Sequence, residues 1–219
     1  MITKEQLRRE LKYRRPGVTS DEDWGQLTVI AEYKHLPIKD KVVMDVGGNI
    51  GAFSIRAAME GADLVYTYEP HPDNYKTLVQ NCGPYPVIKH FEAALTQDPD
   101  GSKIPLYITN DRTLGSCSVT EFRGRSKVIV KTMNFFKELI ITRASSIKMD
   151  CEGAEWSLLS VMMPDWVTDI AAELHFTKKY WRTDYYPRIL KHMEDQGFQQ
   201  IHPAVNTGKN FHTLVHWRR

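Results

Sequence analysis

Two stretches of this 219-residue chain carry side chains whose types and spacing allow them to act together. In the first, Val42 to Gly51 (VVMDVGGNIG), an apolar run ends in Asp45 and continues into Gly47, Gly48, Asn49 and Gly51. Glycines let the backbone take positive φ and let a polar ligand lie against main-chain N–H groups at a helix start. A dinucleotide fingerprint asks for G-x-G-x-x-G, and Asn49 stands where its second glycine would fall. The spacing here is acidic-x-G-x-(G/N)-x-G instead, a loop suited to a nucleoside.

The second stretch, Asp150 to Glu155 (DCEGAE), places three carboxylates within six residues at the end of a short apolar run. Glu152 and Glu155 have a plain account as charges opposing a helix macrodipole, worth roughly 0.3–1 kcal/mol each. Asp150 is a candidate for a reaction centre, because ligands of open α/β sheets lie outside the carboxyl ends of strands. Glu173 and His175, at the end of the run Ile170 to Leu174, are candidates to join it. An imidazole with an ordinary pKa of about 6.5 can serve as a general base. Oxygen ligands at a strand end also admit a magnesium ion, which is the less favoured reading.

Between these stretches lies Glu69, 18 residues after Gly51 and at the end of the run Leu64 to Tyr68. Alone it would be an exposed loop carboxylate. After a glycine loop it falls where nucleoside-binding sheets present an acid to the ribose hydroxyls. Ala93 and Ala94 follow the run Val87 to Phe91, and small side chains there suit either an approaching adenine or close helix–sheet packing.

The elements that must position these groups alternate in type. Apolar runs at 42–46, 64–68, 87–91, 147–149 and 170–174 read as buried parallel strands. Helices are expected over 52–59, over 72–82 with Pro72 in the first turn, over 156–161 and over 184–196. Residues 104–108 and 127–132 read as two more strands around a long polar loop, 109–126. Phe198 to His202 and Phe211 to Trp217, separated by a turn-rich segment, should pair as an antiparallel hairpin. A helix over 3–13 and a second, capped by Ser20 or Asp21 and running through Trp24, Leu27, Ile30 and Tyr33, form a leader of 40 residues before a single domain, 41–219. The leader either packs on the sheet or covers the site.

Composition sets wide bounds. Apolar residues make up 42% and charged residues 26% of the chain, ordinary for a globular protein. The net charge of +2 gives no general attraction to nucleic acid or anionic lipid. Residues 1–15 are locally basic, as expected of a solvated helix face. Three cysteines without a C-x-x-C spacing argue against a disulfide framework or a zinc cluster. No window suggests a membrane span, and MITKEQLRREL lacks the apolar core of a signal peptide, so the chain is expected to be cytoplasmic.

DVGGNIGAFS, YEPHPDNYKTL, EAAL and KMDCEGAEWSLL, in that order, resemble the FkbM-type S-adenosylmethionine-dependent methyltransferases. The similarity runs from about Lys41 to Val161 and more loosely beyond. It implies a class I methyltransferase fold: α/β, Rossmann-like, with a mostly parallel seven-stranded sheet, helices on both faces and a C-terminal antiparallel hairpin. It further implies that Asp45 to Gly51 surround the methionine half of S-adenosylmethionine and that Glu69 holds the ribose. Gly48 stands where alanine is usual. Members of this family methylate hydroxyl groups of macrolides or saccharides, so the expected acceptor is a small molecule or glycan, with Asp150, Glu173 and His175 beside the methyl group. Two alternatives stay open: a nucleic-acid acceptor held by Arg123, Arg125, Lys127 and Lys131, and a nucleoside-binding module without transfer chemistry.

Overall fold

The computed structural model describes residues 1–12, 25–108, 117–118, 126–176, 185–206 and 212–219. A seven-stranded sheet forms its centre, built from β1 (Val42–Val46), β2 (Leu64–Tyr68), β3 (Ile88–Phe91), β8 (Ser146–Met149), β9 (Asp169–His175), β10 (Gln199–Asn206) and β11 (His212–Arg218). Their order is β10-β11-β9-β8-β1-β2-β3. Pairs among β3, β2, β1, β8 and β9 are parallel. β11 runs antiparallel to both β9 and β10, which closes the sheet with the expected hairpin. This is the class I methyltransferase arrangement. Because β1 is central and flanked by parallel neighbours, its end lies where the connections leave in opposite directions, and ligands of such sheets dock there.

The strands are apolar for a physical reason. Val43, Met44, Ile147, Met149, Ile170 and Ala172 are all buried, as needed for a sheet covered on both faces. One face packs against Phe135, Leu139, Trp156, Leu158 and Met193. Helices α3 (Ala52–Met59) and α4 (Pro72–Cys82) contribute Phe53, Ile55 and Leu78 to the other. α4 begins as the sequence suggests, with Pro72 in the first turn and His71 Nδ1 accepting from the Asp73 amide.

The leader packs on that second face. α1 (Lys4–Glu10), a 3-10 turn (Gly25–Thr28) and the short α2 (Val29–Glu32) bury Leu7, Leu11, Leu27, Val29 and Tyr33 among the α3 and β1 side chains. Arg56 of α3, only 1% exposed, ties the leader down by donating from Nη1 to the Val29 carbonyl at 2.7 Å. The expected second helix is thus a 3-10 turn followed by one short α-helix, and its proposed caps, Ser20 and Asp21, lie with Trp24 outside the described residues. Arg8, Arg9 and Lys12 are exposed, in keeping with a solvated helix face.

A second sheet, ordered β4-β7-β5-β6, stands apart from the first. It comprises β4 (Ala94–Thr96), β5 (Lys103–Ile108), β6 (Cys117–Ser118) and β7 (Ser126–Asn134). β5 and β7 pair antiparallel as expected, whereas β4 pairs with β7 in parallel. Residues 92–95 are therefore not simply a strand-end turn; they include the edge of this sheet. β7 leads into α5 (Phe135–Thr142), which Asn134 caps by accepting from the Lys137 amide. α6 (Glu155–Leu158) and α7 (Tyr185–Asp195) complete the elements. No helix among the described residues is long and apolar enough to cross a membrane.

Candidate active site

A cleft of about 630 Å³, counting its open mouth, lies at the carboxyl ends of β1, β2 and β8. β1 and its loop supply Val46, Gly47 and Asn49, and β2 supplies Tyr68, Glu69 and Pro70. Ala94, Leu95 and Leu106 of the second sheet wall one side, and Asp150, Cys151, Glu152 and Ala154 the other. Apolar walls with a few fixed polar groups suit a nucleoside-sized ligand.

The glycine loop is shaped by contacts that allow no side chain. Gly47 has φ +83°, and a Cβ there would lie 1.8 Å from the Asp150 carbonyl oxygen. The loop thus touches the other half of the site directly. Gly48 and Gly51 do not line the cleft. A Cβ on Gly48 would meet Thr67 Oγ1 at 2.2 Å, and one on Gly51 the Cys82 sulfur at 2.6 Å. Both let α4 and β2 close behind the loop.

Asp45, expected near the methionine half, is wholly buried beneath the loop instead of lining the cleft. It accepts from Ser54 Oγ at 2.7 Å and pairs with Lys148 Nζ at 3.0 Å. Lys148 Nζ also donates to the Gly47 carbonyl at 2.6 Å. Burial alone would discharge Lys148, but the Asp45 and Asp150 charges hold its pKa above the usual range. Asp45 therefore works through Lys148, anchoring the loop from below. Sequence reading passed over Lys148; a lysine inside an otherwise apolar strand was the available signal.

Glu69 is 3% exposed and its carboxylate accepts from the Asn49 and His71 amides, each at 2.8 Å. Burial pushes its pKa up to about 7, against the pull of those two bonds. Asn49, at φ 49°, presents a buried Oδ1 with no hydrogen-bond partner among the described residues. An orphaned acceptor in the cleft wall fits a ligand carrying N–H or O–H donors, and S-adenosylmethionine has both. Ala94 lines the cleft, whereas Ala93 is buried and outside its lining.

Past Asp150 the chain turns through Glu152 and Gly153, at φ 54° and 111°, into α6. Glu155, 0% exposed, accepts from the Cys151 amide at 2.8 Å and the Gly153 amide at 2.9 Å. It also lies 3.1 Å from His175 Nδ1. Its role exceeds the macrodipole account, for it both shapes the turn and holds the imidazole. Asp150, Glu173 and His175, which come from β8 and β9, gather their donor atoms within 4.8 Å of one another.

These environments redistribute the expected roles. Burial alone would lower the His175 pKa, but Glu155, with Glu152 and Asp150 behind it, raises it to about 11. These carboxylates favour the protonated imidazole, so the proton-accepting role fits Glu173 better than His175. Burial and then the Asp150 charge push Glu173 up to about 8, near the working range of a base. Trp156 Nε1 donates to the His175 carbonyl at 2.7 Å, and its ring meets Phe176 edge-on at 5.2 Å. Those aromatics seal the far side of the cluster.

A comparison with curated proteins finds no match. Among solved structures, a candidate hemolysin from Lactococcus lactis is 16% identical, with 89% of this chain and 86% of that chain covered, at a TM-score of 0.52. A candidate transferase from Pyrococcus horikoshii is 12% identical, with 88% of this chain and 62% of that chain covered, at a TM-score of 0.50. At such identities the likeness is one of fold. Residues 45–199, from the glycine loop through both carboxylate clusters to the start of β10, match the model of the methyltransferase FkbM domain. The chain belongs to the FkbM methyltransferase family.

Proposed function

We propose that the protein transfers a methyl group from S-adenosylmethionine to a hydroxyl of a small molecule or saccharide. The observation that carries this reading is the junction of cleft and cluster: Asp150 belongs to both, lining the cleft and lying within 4.8 Å of Glu173 and His175. When bound, S-adenosylmethionine supplies a methyl group already activated on a sulfonium. The protein's tasks are then to align an acceptor oxygen, exclude water and take a proton. Glu69 and Asn49 orient the nucleoside end. Asp150 and Glu173 orient the acceptor hydroxyl and receive its proton, while the His175 charge stabilises the paired carboxylates.

Thermal shifts with S-adenosylmethionine, S-adenosylhomocysteine and NAD test the cofactor, and kinetics of variants test the roles. Glu173→Gln should lower turnover about 100-fold or more while cofactor affinity stays within a few-fold. Stabilisation by NAD and not by the sulfonium would sink the proposal. A nucleic-acid acceptor has less support: Lys127 and Lys131 lie on β7, and Arg123 and Arg125 lie outside the described residues.

A further inference from the structure

One imidazole nitrogen and two carboxylate oxygens converge where β8 and β9 end, from His175, Asp150 and Glu173. A mixed nitrogen and oxygen donor set of this kind is what first-row divalent cations take, in preference to the all-oxygen set of magnesium. Two observations outside those three side chains point the same way.

The first is the carboxylate behind the imidazole. Glu155 is fully buried, held by two backbone N–H groups, and 3.1 Å from His175 Nδ1. A carboxylate in that position keeps the proton on Nδ1, the usual support of a metal-binding histidine, and a cation at Nε2 replaces the proton that nitrogen otherwise carries, releasing it to solvent. His175 Nε2 indeed lies on the acidic side, 3.6 Å from Glu152 Oε2.

The second is the phenol of Tyr33, contributed by the leader. Tyr33 is 1% exposed and its hydroxyl has no hydrogen-bond partner among the described residues. Of the charges that act on it, those of Asp150 and Glu173 act most strongly, ahead of Glu32 and Asp45. A buried donor left without an acceptor is destabilising. The water or acceptor oxygen that completes a cation's shell would meet that need.

We propose that Asp150, Glu173 and His175 hold a divalent cation of the manganese or iron class beside the point of methyl delivery. Its purpose rests on the methyl-transfer reading: positive charge next to the acceptor oxygen eases loss of the hydroxyl proton. Each carboxylate still has a second oxygen to receive that proton. The cation site itself stands on the geometry alone.

The test titrates Mn²⁺ into the EDTA-stripped full chain, following loss of the free-ion signal by electron paramagnetic resonance. Calorimetry with S-adenosylmethionine runs on the same samples. One Mn²⁺ per chain is expected, with Asp150→Asn and Glu173→Gln each weakening it by roughly tenfold or more. The remote Glu5→Gln should leave it unchanged. Retained S-adenosylmethionine binding by Glu173→Gln shows that its loss of Mn²⁺ is not unfolding. Failure of the wild-type chain to take up stoichiometric Mn²⁺, or uptake that both cluster substitutions leave intact, overturns the proposal. A chain that takes up Mn²⁺ but binds no S-adenosylmethionine would instead contradict the methyl-transfer reading and leave the cation site standing.

Discussion

Glu155→Gln should move His175 more than any change to His175's own neighbours in sequence. The buried Glu155 carboxylate is the largest of the charges that raise the imidazole pKa to about 11, so removing it leaves burial opposed by Glu152 and Asp150 and the pKa falls. An NMR titration should then find His175 changing charge several pH units lower. An unchanged titration would refute the ion pair. Glu69 gives a second pH prediction. Its pKa of about 7 means that the carboxylate, the better acceptor for two ribose hydroxyls, forms as pH rises through neutrality. S-adenosylmethionine affinity should therefore increase roughly tenfold from pH 6 to pH 8, and Glu69→Gln should flatten that profile. Lys148→Met strands the buried Asp45 charge and should cost about 3–5 kcal/mol of stability, read by denaturant unfolding. At this scale sequence singled out Gly47, Asn49, Glu69, Ala94 and Asp150, which the fold brings together around one cleft. It read His175 as an ordinary imidazole because the carboxylate that acts on it, Glu155, is 20 residues away in the chain.

Elements decide which glycines matter and why. Gly47→Ala would force a Cβ against the Asp150 backbone at a positive φ, so it should destabilise the chain by about 2 kcal/mol or more and abolish cofactor binding together. Circular dichroism melts beside calorimetry would show whether both losses appear. Leu7→Ala, in a leader helix that sequence left between two roles, should cost about 2–5 kcal/mol because Leu7 is fully buried in the core against α3. A cost below about 0.5 kcal/mol, the usual range for surface changes, would mean that the leader is peripheral. The parallel strands were legible because a doubly covered strand must be apolar throughout. β4 was not: Ala94 to Thr96 is too short for any periodicity, and only its pairing with β7, 38 residues on, defines it. The 3-10 turn at 25–28 was likewise hidden, since an i, i+3 apolar spacing serves either helix type.

Across the whole molecule, the order of parallel strands and the closing hairpin put the nucleoside cleft and the carboxylate cluster at one edge of the sheet, joined by Asp150. The leader closes the face behind them and lends Tyr33. This division explains why the donor was readable from sequence and the acceptor was not. On the proposed reading the donor is held by a contiguous loop and one acid at a fixed distance, whereas the acceptor meets side chains drawn from the end of β8, from β9 and from the leader. Incubation of the chain with methyl-labelled S-adenosylmethionine and a panel of hydroxylated small molecules and saccharides tests that account most directly. It predicts label in an acid- and base-stable methyl ether, lost with Glu173→Gln. Label recovered in nucleic acid, or no label in any acceptor from a chain that binds the cofactor, would contradict it.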